Sequence, residues 1–581
     1  MKTSTLISPK SKEASVQASG GLAIIDALLS EEVTTIFGYP GGAIMPLYDA
    51  LFDYKEQLNH ILVRHEQGAI HAAQGYARVS GKTGVVFATS GPGATNLVTG
   101  LADAQIDSTP LVCITGQVFA HLLGTDAFQE TDIINITSPI TKWNYQITDA
   151  TEIPEILAKA FYIAKSGRPG PVLIDITKNA QLQLFNYQGY RSCNHIRSYR
   201  PKPIVRTNVV QQAATLINQA KKPFIVFGQG VILGQAEQEL IQFIEKTGIP
   251  TAWTIMGMSA IPTNHHLATG MVGMHGNYAP NVLTNECDVL IAIGMRFDDR
   301  VTGRLDKYAT QAKIIHLDID PAEIDKNVQT TVAIWGDCKE TIPLLTQYCN
   351  ENKHKEWFQE FVIRKEKENR ELIEKELNPK EGKMTMGEVI NALNELTDGT
   401  AVIVTDVGQH QMVACRYATQ VCSRSNITSG GLGTMGFALP AAIGAKYGAQ
   451  NRTVVAIMGD GGAQMNIQEL GTIMQFKPNV KIIILNNQFL GMVRQWQELF
   501  HEKRYSFTDI QSPDFVQVAR GYGIDGRSIT DRIELKESLQ QMLNHPDSFL
   551  LEIAVAHEDN VFPMVPQGKG VAEIVLSKEE I

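Results

Sequence analysis

The feature that most constrains the fold is a repeating pattern: a short apolar run, a turn rich in glycine, then a stretch with helical periodicity. The apolar runs are rich in β-branched residues and apolar on both faces, which is typical of parallel strands buried between helices. Because strands alternate with helices, the pattern predicts an α/β fold of doubly wound, mainly parallel sheets. The predicted strands are Gly84–Ala88, Pro110–Thr115, Pro171–Ile176, Pro223–Gly228, Asp288–Gly294, Lys313–Asp318, Ala401–Thr405, Thr453–Met458 and Val480–Leu485.

Two polar stretches interrupt this pattern. Residues 187–205 contain two prolines and are predicted to be a linker. Residues 350–383 are dense in lysine and glutamate, which favours a solvated helix followed by a connector at Asn378-Pro379. The sequence therefore predicts three α/β domains, at 20–187, 205–347 and 384–560, and the 581 residues are enough for all three.

Composition excludes several classes of protein. The net charge is −10 and no basic stripe offsets it, which argues against nucleic acid or an anionic membrane as a partner. The apolar runs, such as Val289–Ile293, are far shorter than the ~18 residues of a membrane helix. The seven cysteines are scattered without a CxxC pair, so neither a disulfide framework nor a zinc site is indicated, and a reducing compartment is expected. Residues 1–19 lack the apolar core of a secretory signal and are predicted to be a disordered tail.

Two polar motifs follow neighbouring strands in the third block. The predicted strand Thr453–Met458 runs into Gly459-Asp460-Gly461-Gly462, with a helix expected to begin near Gln464. The strand ending at Leu485 is followed by Asn486-Asn487. Both motifs therefore lie at carboxyl ends of strands, where open α/β sheets bind ligands. An Asp-Gly turn alone is common and is also compatible with an ordinary strand–helix connection.

The residue types in these motifs suit a diphosphate bound through a metal ion. One carboxylate and one amide oxygen are hard ligands of the kind Mg²⁺ prefers, and glycines let backbone N–H groups approach a phosphate at a helix start. A helix dipole contributes only ~0.3–1 kcal/mol, too little to hold a multiply charged diphosphate, so a bridging divalent cation is required. Asp460 and Asn487 are the candidate ligands.

The combination resembles the thiamine diphosphate signature of the thiamine-dependent decarboxylases and carboligases. That resemblance implies a glutamate in the first block that hydrogen-bonds the aminopyrimidine ring and exchanges a proton with it. Glu66, within Arg64-His65-Glu66-Gln67, follows a short predicted strand and precedes a predicted helix, which suits such a role. The alternative for Glu66 is a carboxylate that only favours the helix dipole.

Further motifs narrow the resemblance to the large catalytic subunits of acetolactate synthases (acetohydroxyacid synthases), over nearly the whole chain. Simple decarboxylases of the superfamily lack two of these motifs, GTDAFQE and RFDDR. The stretches that carry the resemblance are GYPGGA at 38–43, RHEQ at 64–67, ATSGPGATN at 88–96, GTDAFQE at 124–130, RFDDRVTG at 296–303, VGQHQM at 407–412, GGLGTMGFALP at 430–440 and LGMVRQW at 490–496.

The resemblance implies that the enzyme decarboxylates pyruvate and joins the remaining two-carbon unit to a second 2-keto acid. Pyruvate as acceptor would give 2-acetolactate, and 2-ketobutyrate would give 2-aceto-2-hydroxybutyrate, in the first common step of valine, leucine and isoleucine synthesis. It also implies a set of thiamine diphosphate contacts, among which Met435 would push the cofactor into a bent shape. The implied Mg²⁺ ligands are Asp460, Asn487 and the backbone oxygen of Phe489. From packing alone, Met435 is equally a core residue. The implied thiamine contacts are Glu66, Val407, Gly408, Gln409, His410, Met435, Gly461, Gly462 and Asn487.

The middle block is predicted to be a dinucleotide-type domain. The strand from Pro223 ends in Gly228-Gln229-Gly230 and the strand from Lys313 ends in Asp318-Ile319-Asp320. GxG alone is a weak signal and also fits an empty nucleotide fold, but the resemblance implies FAD that performs no net redox chemistry. The implied FAD contacts are Arg168, Gly228, Gly230, Thr254, Met274, His275, Gly294, Arg296, Asp298, Arg300, Asp318, Ile319 and Asp337.

The resemblance also implies an acceptor site, in which Gln129 and Lys178 join Glu66 as catalytic residues. Lys178 and Arg300 could orient a carboxylate by charge-assisted bonds, although from the sequence alone surface ion pairs are the better interpretation of both residues. Phe119 departs from the small residue that the family commonly carries at a position bordering the access channel, which leaves inhibitor sensitivity open. The implied channel and acceptor residues are Gly42, Phe128, Gln129, Lys178, Met274, Arg300, Met492 and Trp496.

Two other functions remain to be weighed. A flavin-dependent pyruvate oxidase would share the fold, but GTDAFQE and Trp496 favour the carboligase. A catalytically inactive regulatory paralogue should have lost Glu66 or Asp460, and both are present.

We expect a homodimer or higher oligomer with active sites shared between chains, and a separate small regulatory subunit. The expected compartment is the cytoplasm, or the plastid stroma in a photosynthetic eukaryote.

Overall fold

Three six-stranded parallel sheets form the framework of the protein. The computed structural model describes residues 16–581, so most of the predicted tail, residues 1–15, lies outside the described part. Residues 16–19 of that tail form strand β1, which pairs antiparallel with β8, so the prediction of disorder was wrong there. The chain divides into two compact units, one ending at Arg200 and the other Pro201–Ile581.

The first unit holds the first sheet, with the strand order β3-β2-β4-β5-β7-β6. Numbered within the sheet, this order is 2-1-3-4-6-5. The interior strands β4, β5 and β7 are buried along their whole length, as expected for a sheet covered by helices on both faces. The strands are β1 Val16–Ser19, β2 Thr35–Gly38, β3 Asn59–Leu62, β4 Gly84–Ala88, β5 Leu111–Gln117, β6 Trp143–Ile147, β7 Pro171–Thr177 and β8 Leu184–Tyr187. The α-helices are Gly20–Ser30, Met45–Phe52, Glu66–Ser80, Pro92–Thr95, Val98–Ile106, Ile133–Thr137, Ile153–Lys165 and Lys178–Leu182.

The second unit begins with a sheet of order β11-β10-β9-β12-β13-β14. Within the sheet this is 3-2-1-4-5-6, the order typical of dinucleotide-binding domains. The strands are β9 Pro223–Phe227, β10 Thr251–Trp253, β11 Ala268–Met271, β12 Val289–Ile293, β13 Lys313–Asp318 and β14 Val332–Trp335. The α-helices around this sheet are Thr207–Gln219, Gly230–Leu233, Glu237–Thr247, Tyr278–Thr284, Asp299–Thr302 and Cys338–Tyr348.

The third sheet, also in the second unit, has the order β16-β15-β17-β18-β20-β19. Numbered within the sheet this is again 2-1-3-4-6-5, so the first and third sheets share one topology. The strands are β15 Val402–Thr405, β16 Asn426–Thr428, β17 Val454–Gly459, β18 Val480–Asn486, β19 Asp525–Ile529 and β20 Phe549–Ala554. The α-helices are Met386–Thr397, Gln409–Tyr417, Ala438–Gly448, Asp460–Met465, Leu470–Phe476, Gly491–Phe500, Phe515–Gly521 and Leu535–Asn544.

All the predicted strands are confirmed, with ends that differ by no more than two residues. The helical prediction for 350–383 is confirmed at Lys355–Glu368, followed by a π-helical turn at Asn369–Ile373 and a short helix at Glu374–Leu377. That segment is not simply solvated, because Trp357 is buried and its indole Nε1 donates to the Pro223 carbonyl at 2.8 Å. No helix within residues 16–581 has both the length and the apolar character needed to cross a membrane.

Candidate active site

Asp460 is the first residue of a helix that starts directly after strand β17. The sequence predicts a helix start near Gln464, and this prediction is wrong. Gly459 adopts an extended conformation (φ −81°, ψ 160°) and caps the helix, which therefore begins at Asp460. The carboxylate therefore lies at the positive end of the helix, and the backbone N–H groups of its first turn face the same edge of the sheet.

The Asp460 carboxyl group is fully buried and only half satisfied. Its Oδ2 accepts from the Ser512 hydroxyl at 2.9 Å, while Oδ1 is buried with no hydrogen-bond donor among residues 16–581. Burial raises the pKa of Asp460, and the hydrogen bond from Ser512 opposes that rise. A buried carboxylate oxygen without a partner is unfavourable by itself. A hard divalent cation is the group that would satisfy it.

Asn487 lies at the end of the neighbouring strand, as its spacing from Asp460 predicted. Strand β18 pairs in parallel with β17, and Leu485 registers with Gly459. The Asn487 amide nitrogen contacts the Gln409 side-chain oxygen at 3.4 Å, and its Oδ1 accepts from the Phe489 backbone N–H at 3.2 Å. The structure thus brings Asp460, Asn487 and Phe489 to one edge of the third sheet.

The turn around Asp460 has no room for side chains at its glycines. A Cβ at Gly462 would lie 2.3 Å from Asp406 Oδ2, and one at Gly461 would lie 2.8 Å from a Leu490 methyl group. Met435 is half-buried, and its Cε lies 3.8 Å from the Cβ position of Gly461. Met435 therefore borders the turn rather than filling the interior of the core.

The turn after strand β15 carries the other predicted thiamine residues, Val407 to His410. Gly408 has φ +152°, a conformation that favours glycine. His410 is buried and lies beside Gly408 and Gly459, and its Nε2 has no hydrogen-bond partner among the described residues. Burial lowers the pKa of His410 to about 4, so the imidazole is neutral at pH 7. This nitrogen is a second buried polar atom left for a ligand.

Asp406 is a site residue that the sequence reasoning missed. It is fully buried, and its Oδ1 accepts from the backbone N–H of Val407 at 2.8 Å and of Gly436 at 2.9 Å. Burial raises the pKa of Asp406 to about 7 although these bonds oppose the rise. The carboxyl group joins the 407–408 turn, the Met435–Gly436 turn and Gly462. Its signal was present: like Asp460, it directly follows an apolar strand.

Gln409 lies at the centre of a polar network that was also missed. Its Nε2 donates to Gln495 Oε1 at 3.0 Å and to the Asp559 carbonyl at 2.8 Å. The fully buried Arg494 donates to Asn560 Oδ1 at 2.6 Å and to the carbonyl of Glu558 at 2.9 Å. Residues 558–560, at and beyond the carboxyl end of the last sheet strand, therefore hold the helix that carries Met492 and Trp496, both half-buried.

In the first unit, Glu66 is the first residue of the helix Glu66–Ser80, which His65 caps. Glu66 as a whole residue is 9% exposed, and its Oε2 accepts from the Asn96 amide at 2.9 Å. A Cβ at Gly93 would lie 3.2 Å from Glu66 Oε1, so the 88–96 loop approaches this carboxylate closely. The placement fits a carboxylate that exchanges a proton, and it fits a helix-start carboxylate as well.

The predicted acceptor residues of the first unit lie on two loops. Gln129 has φ +59° and packs against Gly91, where a Cβ would come within 2.9 Å of the Gln129 carbonyl oxygen. Phe128 is 88% exposed, and Gly42 has open space around its Cβ position. The Nζ of Lys178 lies 5.8 Å from the centre of the Phe119 ring. The large side chain at position 119, where the family commonly carries a small residue, is therefore a neighbour of this lysine.

Most of the predicted FAD residues lie at the carboxyl ends of strands in the central sheet. Gly228 and Gly230 follow β9, Gly294 follows β12, and a Cβ at Gly228 would lie 2.4 Å from the Gly294 carbonyl oxygen. Strand order reverses between β9 and β12, and such a switch point is where open α/β sheets bind ligands. Thr254 follows β10 and is buried, and Asp318 ends β13.

Other predicted FAD residues have local roles in the structure. Asp298 caps the helix Asp299–Thr302, and Asp337 caps the helix Cys338–Tyr348. Met274 and Arg300 are neighbours, with the Met274 N–H donating to the Arg300 carbonyl at 2.7 Å.

The remaining predicted FAD residues differ in exposure and position. His275 is buried, its Nδ1 has no hydrogen-bond partner within residues 16–581, and burial lowers its pKa to about 4. Arg296 and Ile319 are half-buried. Arg168 belongs to the first unit and donates from Nε to Ser108 at 2.9 Å.

Comparison with known proteins identifies the family. Models of the thiamine pyrophosphate enzymes match in three parts: the N-terminal TPP binding domain at residues 18–136, the central domain at 210–345 and the C-terminal TPP binding domain at 406–553. The chain is 45% identical to the acetolactate synthase large subunit of Parasynechococcus marenigrum (strain WH8102), over 98% of this chain and 93% of the relative.

Two further relatives come from distant organisms. The acetolactate synthase isozyme 2 large subunit of Escherichia coli (strain K12) is 44% identical over 96% of this chain and 99% of the relative. The probable acetolactate synthase large subunit of Methanocaldococcus jannaschii is 45% identical over 96% of this chain and 95% of the relative. The chain therefore belongs to the acetolactate synthase large-subunit family of thiamine pyrophosphate-dependent enzymes.

Proposed function

We propose that this protein is an acetolactate synthase. It decarboxylates pyruvate and joins the remaining two-carbon unit to a second pyruvate or to 2-ketobutyrate, the first common step of branched-chain amino acid synthesis. The observation that carries the proposal is near-full-length identity of 43–45% to large subunits with that name, together with a matching set of strand-end residues. When bound, thiamine diphosphate supplies the electron sink for the decarboxylation and the carbon–carbon bond formation.

Asp460, Asn487 and the Phe489 carbonyl would hold Mg²⁺, which in turn would anchor the diphosphate. The support is chemical: there are hard oxygen donors at one sheet edge, and Asp460 Oδ1 is buried without a hydrogen-bond donor in the part of the chain that the structure describes. Backbone N–H groups at the start of the helix Asp460–Met465 would bind phosphate oxygens. Val407, Gly408, Gln409, His410, Met435, Gly461 and Gly462 would complete the contact surface.

Glu66 is proposed to hold and release the proton that the aminopyrimidine ring exchanges. Glu66 is buried, and among residues 16–200 its carboxyl group accepts one side-chain hydrogen bond, from Asn96 to Oε2, so Oε1 is available to a ligand. A carboxyl group placed within hydrogen-bond reach of a bound ligand can act on it as a general acid or base. The backbone at Gly93 limits the positions that the Glu66 side chain can take.

The acceptor side is proposed to use Gln129, Lys178, Arg300, Met274, Met492 and Trp496, beside Gly42 and Phe128. Lys178 and Arg300 carry the positive charges that would bind the acceptor carboxylate. The Trp496 ring packs 5.1 Å from the Phe500 ring, and this contact would keep it rigid beside an acceptor methyl or ethyl group. A rigid apolar wall of this kind separates substrates that differ by one methylene.

We also propose that the central sheet binds FAD. The 3-2-1-4-5-6 strand order, the glycines at the switch point, the Asp318 carboxylate after β13 and the unpartnered His275 Nδ1 fit a dinucleotide. Thr254, Arg296, Asp298, Ile319 and Asp337 lie at the same edge, whereas Arg168 comes from the other unit. On this proposal 20–187, 205–347 and 384–560 are the pyrimidine-side, FAD-binding and diphosphate-side domains.

Two assembly features belong to the proposal. The relatives are called large subunits, which supports a separate small regulatory subunit. Glu66 and Asp460 lie on separate units, and we propose that each active site combines the first unit of one chain with the second unit of another. Exposed Met465 and Met474, 56% and 49% exposed, follow Asp460 and offer apolar surface to such a partner.

Product analysis tests this function. Purified protein supplied with thiamine diphosphate, Mg²⁺ and FAD is given pyruvate alone, or pyruvate with 2-ketobutyrate. We expect 2-acetolactate in the first case and both acetohydroxy acids in the second, with no oxygen consumed per pyruvate. Acetate formed with stoichiometric oxygen or quinone reduction would instead identify a pyruvate oxidase, and release of free acetaldehyde alone would identify a simple decarboxylase.

A further inference from the structure

Trp335 is a large aromatic residue in an unusual place. It is the last residue of β14, the edge strand of the central sheet, and it is 48% exposed. Two other tryptophans of the second unit, Trp253 and Trp357, are buried at 5% and 3% exposure. Trp335 is not one of the predicted FAD contacts.

The register of the sheet places Trp335 beside a proposed nucleotide residue. Strands β13 and β14 are parallel, and Asp318 pairs with Trp335. Registered positions on adjacent strands point to the same face. Val332 and Ile334 face the main core with Ile315 and Leu317, so Trp335 and Asp318 point to the opposite face.

A hydrogen bond fixes the indole ring at this edge. Its Nε1 donates to the Ile319 carbonyl at 2.9 Å, which ties the ring to the loop that follows Asp318. The ring is therefore held in place at its nitrogen while about half of its surface remains exposed. An ordered, half-exposed aromatic ring is a stacking platform rather than a core residue.

The distance from the switch point matches the reach of a dinucleotide. The glycines after β9 and β12 mark the place expected for the diphosphate. Asp318, which ends β13, is a carboxylate on this side of the sheet that can accept hydrogen bonds from the ribose hydroxyls. Strand β14 is the third strand from β9, so Trp335 lies about 14 Å along the sheet at ~4.8 Å per strand. Asp318 lies between, so the next group outward from the ribose is the base.

We propose that Trp335 stacks on the adenine ring of the dinucleotide and so selects FAD over FMN. This inference rests on the proposed FAD site and adds to it the residue that recognises the base. Base–aromatic stacking depends on the π-face of the base and not on its hydrogen-bonding edge. The flavin end would extend from the switch point in the other direction, toward Thr254 and β10.

The test compares two flavins in cofactor-free protein. Flavin fluorescence titration gives the Kd of FAD and of FMN, which lacks the adenine, for wild type, Trp335→Ala and Trp335→Phe. We expect Trp335→Ala to raise the Kd of FAD about 5- to 150-fold and to leave that of FMN unchanged. Trp335→Phe keeps a stacking ring and should stay within about threefold of wild type for FAD. Leu305→Ala is the matched control, because Leu305 is 49% exposed in the same block.

The results of these titrations distinguish the stacking role of Trp335 from the presence of the FAD site itself. If wild type binds no FAD, the proposed flavin site fails, and this inference fails with it. If wild type binds FAD and Trp335→Ala binds it equally well, or loses FMN to the same degree, the stacking role is overturned while the flavin site stands. A second measurement needs no truncated variant: ADP should quench the part of the tryptophan fluorescence that Trp335→Phe removes. Quenching that persists in Trp335→Phe contradicts the stacking role.

Discussion

The first and third sheets share the strand order 2-1-3-4-6-5, yet they place different chemistry at their carboxyl edges. In the third sheet, Asp406 follows the first strand and Asp460 the third, and both are fully buried. In the first sheet, Tyr39 and Thr89 stand in the corresponding places, and the carboxylate is Glu66, after the second strand. The two sheets therefore share one topology but carry different residues at their strand ends.

This comparison shows that the strand order fixes where the strand-end residues lie, and that the identity of those residues decides which chemistry each edge can support. The third-sheet edge buries carboxyl groups that backbone N–H groups or a bound cation would satisfy, which is suited to binding a charged diphosphate. The first-sheet edge leaves one carboxylate oxygen of Glu66 near the surface of its loop, which is suited to proton exchange. The following variants test whether the third-sheet edge binds the diphosphate and the first-sheet edge exchanges the proton.

The largest effect is expected from Glu66→Gln. The amide oxygen can still accept from Asn96, so the fold and the affinity for thiamine diphosphate should stay close to wild type. Exchange of the C2 proton of bound thiamine diphosphate, followed by NMR in D₂O, should slow about 10²- to 10⁴-fold because the titrating group is gone. Glu155→Gln, at an exposed helix carboxylate of the same unit, is the control and should exchange at the wild-type rate. An unchanged rate in Glu66→Gln would remove Glu66 from proton transfer.

Asp460→Asn should show the opposite pattern, with loss of binding rather than of chemistry. The amide removes the charge that would neutralise Mg²⁺, and we expect the Kd of thiamine diphosphate at fixed Mg²⁺ to rise by more than about 100-fold, since even an outer-shell change costs 10- to 100-fold. Ser512→Ala, which removes only the donor to Oδ2, should raise the Kd about tenfold, at the lower end of the range for outer-shell changes. Isothermal titration measures both. Wild-type affinity in Asp460→Asn would place the metal elsewhere.

A smaller effect concerns the buried carboxyl groups themselves. The pKa of Asp406 is raised to about 7 from about 3.9 in an unfolded chain, so the folded state binds the extra proton between these values. This part of the stability is present at low pH and is lost as pH rises through 7. In cofactor-free protein the free energy of unfolding should fall by at most about 2–3 kcal/mol from pH 5 to pH 8 on account of Asp406.

Urea unfolding of wild type and Asp406→Asn at both pH values measures this contribution. The pH-dependent loss of stability should be smaller in Asp406→Asn, because the titrating group is absent. Asp175, in the first sheet, accepts from Thr115, Gln117 and Gln146, and burial raises its pKa to about 6. Asp175→Asn is the matched variant and should retain the larger Asp406 effect. An equal pH dependence in wild type and Asp406→Asn would contradict the assignment.

The sequence was a good guide to the strands and to the strand-end motifs. Buried parallel strands leave unbroken apolar runs, and a polar residue directly after such a run, such as Asp460 or Asn487, marks the ligand edge. The same rule could have found Asp406. The helix start at Asp460 was misplaced because glycines weaken a helical pattern in sequence, although the backbone here turns helical at once after Gly459.

Other contacts could not have been predicted from local pattern. Gln409 binds the carbonyl of Asp559, 150 residues away, and Arg494 binds Asn560, 66 residues away. Nothing in either segment indicates its partner, because a fully buried arginine looks like a solvated one in sequence. Trp335 is a further case, since its exposure and its pairing with Asp318 depend on the register of an edge strand.

The most direct test of the central claim, that the two half-sites of different chains form one active site, is complementation between inactive variants. Glu66→Gln and Asp460→Asn are co-expressed at equal levels, activity is measured on the unfractionated protein, and two different affinity tags show whether mixed dimers form. If sites are shared, each mixed dimer has one site with both lesions and one with neither, and random pairing returns about a quarter of the wild-type sites. Acetolactate formation near a quarter of the wild-type rate is therefore predicted. Activity no higher than that of either variant alone, with mixed dimers shown to form, would contradict the account.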